Sequence, residues 1–408
     1  MSEIRFLHFA DLHLGMENYG RIDPSSGLSS RLMDFLRAFD QVVNHALEAD
    51  VDLVIFAGDA FKNRDPSPTY EREFAKRIRR LAERVPVFLL VGNHDLPNAA
   101  GRAHTMEIYQ TLEIPNVYVA RTVSLHTIPT RRGKVQILAV PWVVRSTLLR
   151  REEMRSRSLP EIEMMMLERL HTLVNTLQEE ADPHLPLVMA AHATVQGATY
   201  GSERSVMLGR DLVLPPHLFR HPRVAYAALG HIHKHQRVIA DPPVVYSGSV
   251  ERIDFGEEQE DKGFVEGVLR KQKSGAWQAD WTFHRLETRR FVTIRVDARG
   301  EKATDQVIEA IQRRDIQDAV VRIFIRTDAA SEAYLDDRRI REAIAPAFYV
   351  AALHREVERP IRLRLGTTEG VESLRPLDLL RRYFATVGMA QDRVEVLLRH
   401  AEALMAEE

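Results

Sequence analysis

Apolar and polar positions alternate in two rhythms along the first third of the chain. Residues 4–10, 51–57 and 87–91 are short, mostly apolar runs, several of them rich in β-branched residues and bounded by Gly or Asp. Such runs predict strands buried on both faces. Between them the apolar residues recur every three or four positions. Leu32, Phe35, Leu36, Phe39, Val42, Val43 and Ala46 do so over residues 31–49, and Phe74, Ile78 and Leu81 over residues 70–84. That spacing predicts amphipathic helices. Strand, helix, strand implies an α/β sheet with ligands gathered at the carboxyl ends of its strands. Two more apolar runs, 187–191 and 224–229, read as further buried strands. Residues 151–180, with Met164, Leu167, Leu170, Leu173 and Leu177, read as an amphipathic insertion, most simply a helix packed on the sheet.

Each apolar run stops on residues that carry chemistry. In order these are Asp11-Leu12-His13, Gly58-Asp59, Gly92-Asn93-His94-Asp95, Ala191-His192-Ala193 and Gly230-His231-Ile232-His233. One histidine at a strand end is usually just a satisfied polar residue, and Gly58-Asp59 alone would be an ordinary turn. The ordered set, with its carboxylates, amide and imidazoles, is enough for a two-metal hydrolytic centre. The chain has no cysteine, which excludes a thiolate site. Imidazole, carboxylate and amide oxygen together suit manganese, iron, cobalt or zinc better than calcium or magnesium alone. Two ions need a bridging group, and Asp59 is the candidate because Asp11 is paired with His13 at one strand end. A water held between two divalent ions becomes acidic enough to attack phosphorus at neutral pH.

This series of motifs resembles the calcineurin-like metallophosphoesterases, and more narrowly the SbcD family, the nuclease subunit of a complex that repairs DNA double-strand breaks. The resemblance runs from residue 4 to about 283 and continues less specifically beyond. It implies a β-sandwich with flanking helices over residues 1–286, a small α+β capping domain that guides DNA over 287–366, and a C-terminal helix pair over 374–408. It implies one divalent metal, most simply Mn(2+), on Asp11, His13, Asp59 and His233, and a second on Asp59, Asn93, His192 and His231. His94 would steady the scissile phosphate and help the leaving oxygen depart, with Asp95 orienting it through a hydrogen bond. Lys62 stands where archaeal and eukaryotic relatives carry a histidine, so a point charge replaces a group that exchanges protons near neutral pH. Lys62, Arg102 and His104 are candidate substrate contacts, the last two set against simple loop-to-helix capping. Ser247-Gly248-Ser249 and Glu251-Arg252 are expected to border the cleft without a catalytic role. His8 and His45 read as packing or surface residues and His235 as a surface residue.

Composition changes the picture little. With 56 basic and 58 acidic residues in 408, the chain lacks the basic balance usual for a DNA-binding protein, so any basic surface must be local. Absence of cysteine fits a reducing cytoplasm, the first strand carries a ligand and so is not a signal peptide, and no apolar run is long enough to span a bilayer. After residue 289 the pattern predicts strand 291–296, helix 303–313, strand 319–326, helix 336–344 and a short strand at 348–353. Its many arginines are interleaved with acidic residues. Leu377, Leu380, Tyr383, Phe384 and Val387 make one helical stripe, and Val394, Leu397, Leu398, Ala401, Leu404 and Met405 a second. These stripes either pack on the capping domain or grip a partner. The leading expectation is a manganese-dependent nuclease whose partners are DNA, an SbcC-like SMC-type ATPase and a second copy of the chain as a homodimer. A phosphodiesterase acting on small or protein substrates and a DNA-end tether with secondary catalysis are the competing readings.

Overall fold

The computed structural model describes residues 3–97, 102–201, 211–358, 376–386 and 388–406. Two six-stranded sheets face each other. The first has the order β14-β13-β1-β2-β3-β4, built from β1 (Glu3–Phe9), β2 (Leu53–Phe56), β3 (Val87–Leu90), β4 (Val117–Ala120), β13 (Gly263–Lys271) and β14 (Trp277–Arg285). The second has the order β11-β12-β10-β7-β6-β5, built from β5 (Ser124–Thr130), β6 (Gly133–Val140), β7 (Leu187–His192), β10 (Val224–Gly230), β11 (Gln236–Ile239) and β12 (Val244–Tyr246). A two-stranded ladder of β8 (Thr194–Val195) and β9 (Val213–Leu214) lies beside them. The central strands β1–β4 run parallel, as do β6, β7, β10 and β12, while β13, β14, β5 and β11 close the edges antiparallel.

The apolar runs are continuous because both faces of these strands are covered. Alternate residues split between two cores. Phe6, Leu53, Ile55 and Phe88 face Ile137, Val188, Tyr226 and Ala228 across the gap between the sheets. Leu7, Phe9, Val54, Phe56 and Leu89 turn outward onto helices α1 (Ser30–Glu48) and α2 (Pro68–Ala82). The second sheet does the same. Leu138, Met189, Ala227 and Leu229 pack with Ile162, Met166, Leu170 and Val174 of the helix over Leu159–Glu180. Each fully buried Phe or Leu in these layers contributes about 1.5–3 kcal/mol. Helix 159–180 begins eight residues later than the predicted insertion, where Glu161 accepts a hydrogen bond from the amide of Ser158 as in a capping box.

A separate three-stranded parallel sheet follows, β15 (Phe291–Asp297), β16 (Val320–Asp328) and β17 (Tyr349–Glu358), with helices Ala303–Gln312 and Asp337–Ile344 on it and a core around Ile294, Val307, Ile323 and Ile340. Strand β17 is ten residues long, longer than the short strand expected. The buried carboxylate of Asp34 ties this module to α1, taking two hydrogen bonds of 2.6 and 2.7 Å from Arg289 and one of 2.8 Å from Arg31. Many of the module's arginines are engaged by neighbouring carboxylates: Arg290 by Asp315, Arg299 by Asp297 and Glu358, Arg339 by Asp305. Helices Pro376–Thr386 and Gln391–Ala406 pack on each other and leave Tyr383, Val396, Leu404 and Met405 exposed. Val387 and the end of the 287–366 span lie outside the described residues, as does residue 374.

Candidate metal centre

All five motifs meet at one end of the sandwich, where the carboxyl ends of β1, β2 and β3 face those of β7 and β10. The backbone there leaves its ordinary range to aim side chains inward. Asp11, His13, Asp59 and His231 have φ of 53°, 45°, 61° and 99°. Left-handed non-glycine residues cost on the order of 1–3 kcal/mol each and cluster at functional sites. The glycines of the motifs serve close approach. A Cβ on Gly92 would lie 2.1 Å from Asp59 Oδ1, and one on Gly230 would lie 2.2 Å from the carbonyl oxygen of Ala57.

Two groups of donor atoms result. In each, one ligand-type atom per residue lies within 4.8 Å of the others: Asp11, His13 and His233 in the first, Asp59, His192 and His231 in the second. The Nε2 atoms of His13 and His233 face each other at 3.0 Å. Asn93 Oδ1 sits 2.9 Å from His192 Nε2 and 3.1 Å from His231 Nδ1. Asp59 Oδ2 lies between the groups, 3.3 Å from His192 Nε2 and 3.7 Å from His13 Nε2. Asp11 additionally accepts the amide of His231 at 2.9 and 3.1 Å. All these residues except Asn93 are buried.

The outer nitrogens of three histidines are held by partners that leave the inner nitrogens facing the donor groups. His192 Nδ1 donates to Ala57 O at 2.7 Å. His231 Nε2 is 2.9 Å from Asp211 and His233 Nδ1 is 2.7 Å from Glu257. This is the arrangement in which imidazoles are held for metal ligation. The electrostatics agree. Burial pushes Asp11 up. Burial also opposes ionisation of Asp59, but His192 and His94 outweigh it and hold this carboxyl well below its ordinary range. Burial lowers His192, yet Asp59 and Asp11 raise it to about 9. Asp59 and His192 thus stabilise each other's charged form, with the proton on His192 balancing the carboxylate. Divalent ions displace such protons, so the donor set fits a pair of them.

Asp95 is used differently from the expectation. Its carboxylate accepts the amides of Asp59, Ala60 and Gly92, each at 2.9 Å, and so clamps the turns after β2 and β3. These backbone donors engage both of its oxygens, and the ring of His94 is held instead by Lys62 O, 2.7 Å from Nδ1. His94 lies with His13 and Asp59 in a further group of converging donor atoms and remains half-buried. Lys62 is half-buried and Arg102 exposed, whereas His104 is buried with Nε2 3.8 Å from Glu107. Ser249 donates its amide to His233 O at 3.0 Å, so the 247–249 turn backs the loop that carries His233. His8 is buried between the sheets with Tyr226 and Leu229. His235 is half-buried and stacks on Phe283 with ring centroids 3.9 Å apart. His45 forms, with Glu266 and His284, a group on the far side of the first sheet in which one carboxylate serves both rings. Asp211, Glu257 and Trp142, whose ring lies 4.7 Å from that of His231, were not foreseen. Glu257 sits in an acidic run that reads as a solvated loop, and neither of the others carries a motif.

A fold of two facing mixed sheets with paired imidazole and carboxylate groups at their strand ends defines a class of phosphate-ester hydrolases. The chain belongs to the calcineurin-like phosphoesterase family, whose model matches residues 4–235. It is similar to the DNA double-strand break repair protein Mre11 of Archaeoglobus fulgidus, 26% identical over 352 residues, covering 84% of this chain and 72% of that one. It is likewise similar to the SbcD component of the SbcCD nuclease of Rhodobacter capsulatus, 28% identical over 336 residues and 77% of each chain.

Proposed function

We propose that this protein is a two-metal, manganese-dependent nuclease that hydrolyses phosphodiester bonds at DNA ends during double-strand-break repair in the cytoplasm, together with an SMC-type ATPase. The observation that carries the reading is the position of Asp59 Oδ2 between two histidine groups, one with Asp11 and one with Asn93. Asp11, His13, Asp59 and His233 would hold one ion, and Asp59, Asn93, His192 and His231 the other. Ions bound there supply Lewis acidity and an activated water. The chain's own residues supply the rest. His94 keeps a proton on Nδ1, because Lys62 O can only accept, which leaves Nε2 as the nitrogen open to proton exchange in a ring grouped with His13 and Asp59. As an imidazolium it can donate that Nε2 proton to a departing alkoxide. Asp95 holds the two turns that carry Asp59 and Asn93 in fixed relation. The parallel module after residue 289 caps the catalytic sandwich and guides DNA, and the C-terminal helices, through their exposed and half-buried apolar residues, dock on the coiled-coil base of the ATPase. No helix among the described residues is long and apolar enough to cross a membrane.

The test is incubation with linear duplex, single-stranded DNA and bis(p-nitrophenyl) phosphate, each with manganese and with chelator. Manganese-dependent cleavage of all three is expected. Hydrolysis of the small diester with no cleavage of either DNA would refute the nuclease reading.

A further inference from the structure

Five residues, Asp254 to Glu258, touch both the candidate metal centre and the capping module. At one end the buried Glu257 accepts from His233 Nδ1 at 2.7 Å with one oxygen. Its other oxygen is 2.8 Å from Lys262 Nζ and accepts the amide of Ile253 at 2.9 Å. Lys262 is itself buried and also donates to His233 O at 3.2 Å. Side chain and backbone of His233 are thus gripped by one buried ion pair. At the other end Glu258 accepts both the amide of Thr293, at 2.9 Å, and its hydroxyl. Thr293 lies in β15, and its hydroxyl also accepts from Arg322 Nε of β16 at 2.9 Å. Between these ends Phe255 packs against Phe291, ring centroids 4.9 Å apart, under the Arg322 guanidinium 4.2 Å from its ring.

We infer that Glu257 is a positioning residue for the ligand His233, and that the 254–258 turn is a strut coupling occupancy of that ligand's metal site to the order of the capping sheet. This rests on the ligand set proposed above. A partner that fixes Nδ1 sets the ring plane and makes Nε2 a better donor, and losing such a partner typically costs 10- to 100-fold in metal affinity. Because Glu258 leaves the same short turn for β15, an ion that locks His233 must also reduce the motion of β15. Coupling between sites is reciprocal, so loosening the capping sheet weakens that ion in turn.

The experiment measures manganese binding by calorimetry on the full-length protein, and backbone hydrogen exchange across β15 with and without manganese. Wild type is expected to bind two equivalents and to slow β15 exchange by at least about fivefold. Glu257→Gln should weaken one equivalent about 10- to 100-fold and abolish the manganese effect on β15. Glu258→Ala, a change at a residue that hydrogen-bonds Thr293, should keep both equivalents, one of them weakened by about the fivefold of the coupling itself, and still lose the effect on β15, so the coupling is tested even should Glu257→Gln not fold. His233→Ala is the control for the ligand set. If it keeps two full-strength equivalents, the ligand assignment itself fails. If it loses one while Glu257→Gln binds both as wild type does, the positioning role is overturned. Equal β15 exchange with and without manganese in wild type overturns the strut.

Discussion

Gly230 is a position at which a single added methyl should damage the site through the backbone alone. It ends β10 in the second sheet, and its Cβ would lie 2.2 Å from the carbonyl oxygen of Ala57 and 3.0 Å from the Cβ of Ala10, both at strand ends of the first sheet. Its φ is not among the positive values of the chain, so alanine meets no backbone penalty and would otherwise be mildly stabilising. The whole cost is contact with backbone, which cannot swing away as a side chain can. Restoring an ordinary carbon–oxygen separation parts the two sheets by about 1 Å, and overpacking of this kind costs roughly 1–3 kcal/mol. For a sandwich of this size that is a fall in melting temperature of about 2–5 °C. Function should suffer more than stability. Ala57 O is the acceptor that holds His192 Nδ1, and the next residue after Gly230 is His231. A 1 Å misplacement of reacting groups costs on the order of 10²-fold. Gly230→Ala should therefore lower manganese-dependent hydrolysis of bis(p-nitrophenyl) phosphate about a hundredfold and weaken manganese binding in calorimetry. Turnover and affinity within about twofold of wild type would show that the sheets tolerate separation and that their close approach does not set the ligand geometry.

Further predictions follow the same geometry. His94→Gln should retain both manganese equivalents while turnover of the small diester falls by about 10² or more; metal loss in parallel with activity would make His94 a ligand instead. His8, which burial lowers to about 3 against an ordinary value near 6.5, is excluded from its proton in the folded state. Its contribution is therefore complete above pH 6.5 and is lost as pH falls from 6.5 toward 3, by up to roughly 5 kcal/mol. Thermal melts of the wild type should lose stability over that window more steeply than those of His8→Gln, and parallel profiles would exclude His8 as the cause. Leu380→Glu with Leu397→Glu should abolish co-purification with an SbcC-like ATPase and leave small-diester hydrolysis unchanged. A lowered melting temperature with partner binding intact would mean instead that the helix pair packs on its own chain.

Much of this protein is legible in its sequence because the decisive signals are local. Buried strands between helices declare themselves as unbroken apolar runs, and metal-ligand residue types placed directly at their ends mark where the sheets must be read. Asp11, His13, Asp59, Asn93, His192, His231 and His233 needed no knowledge of distant neighbours to stand out, and the alternation after residue 289 was readable for the same reason. What only the tertiary structure decided is which group holds which. Asp95 turned out to serve three backbone amides and not the ring beside it in sequence, since a carboxylate facing several buried N–H donors satisfies those first. His192 is fixed by a carbonyl 135 positions away and His233 by Glu257, 24 positions away. His104, polar and close to a motif, went into the interior. Strand and helix periodicity records burial face by face along a continuous chain. A hydrogen bond between separate elements depends on their register and approach, which no stretch of sequence contains by itself.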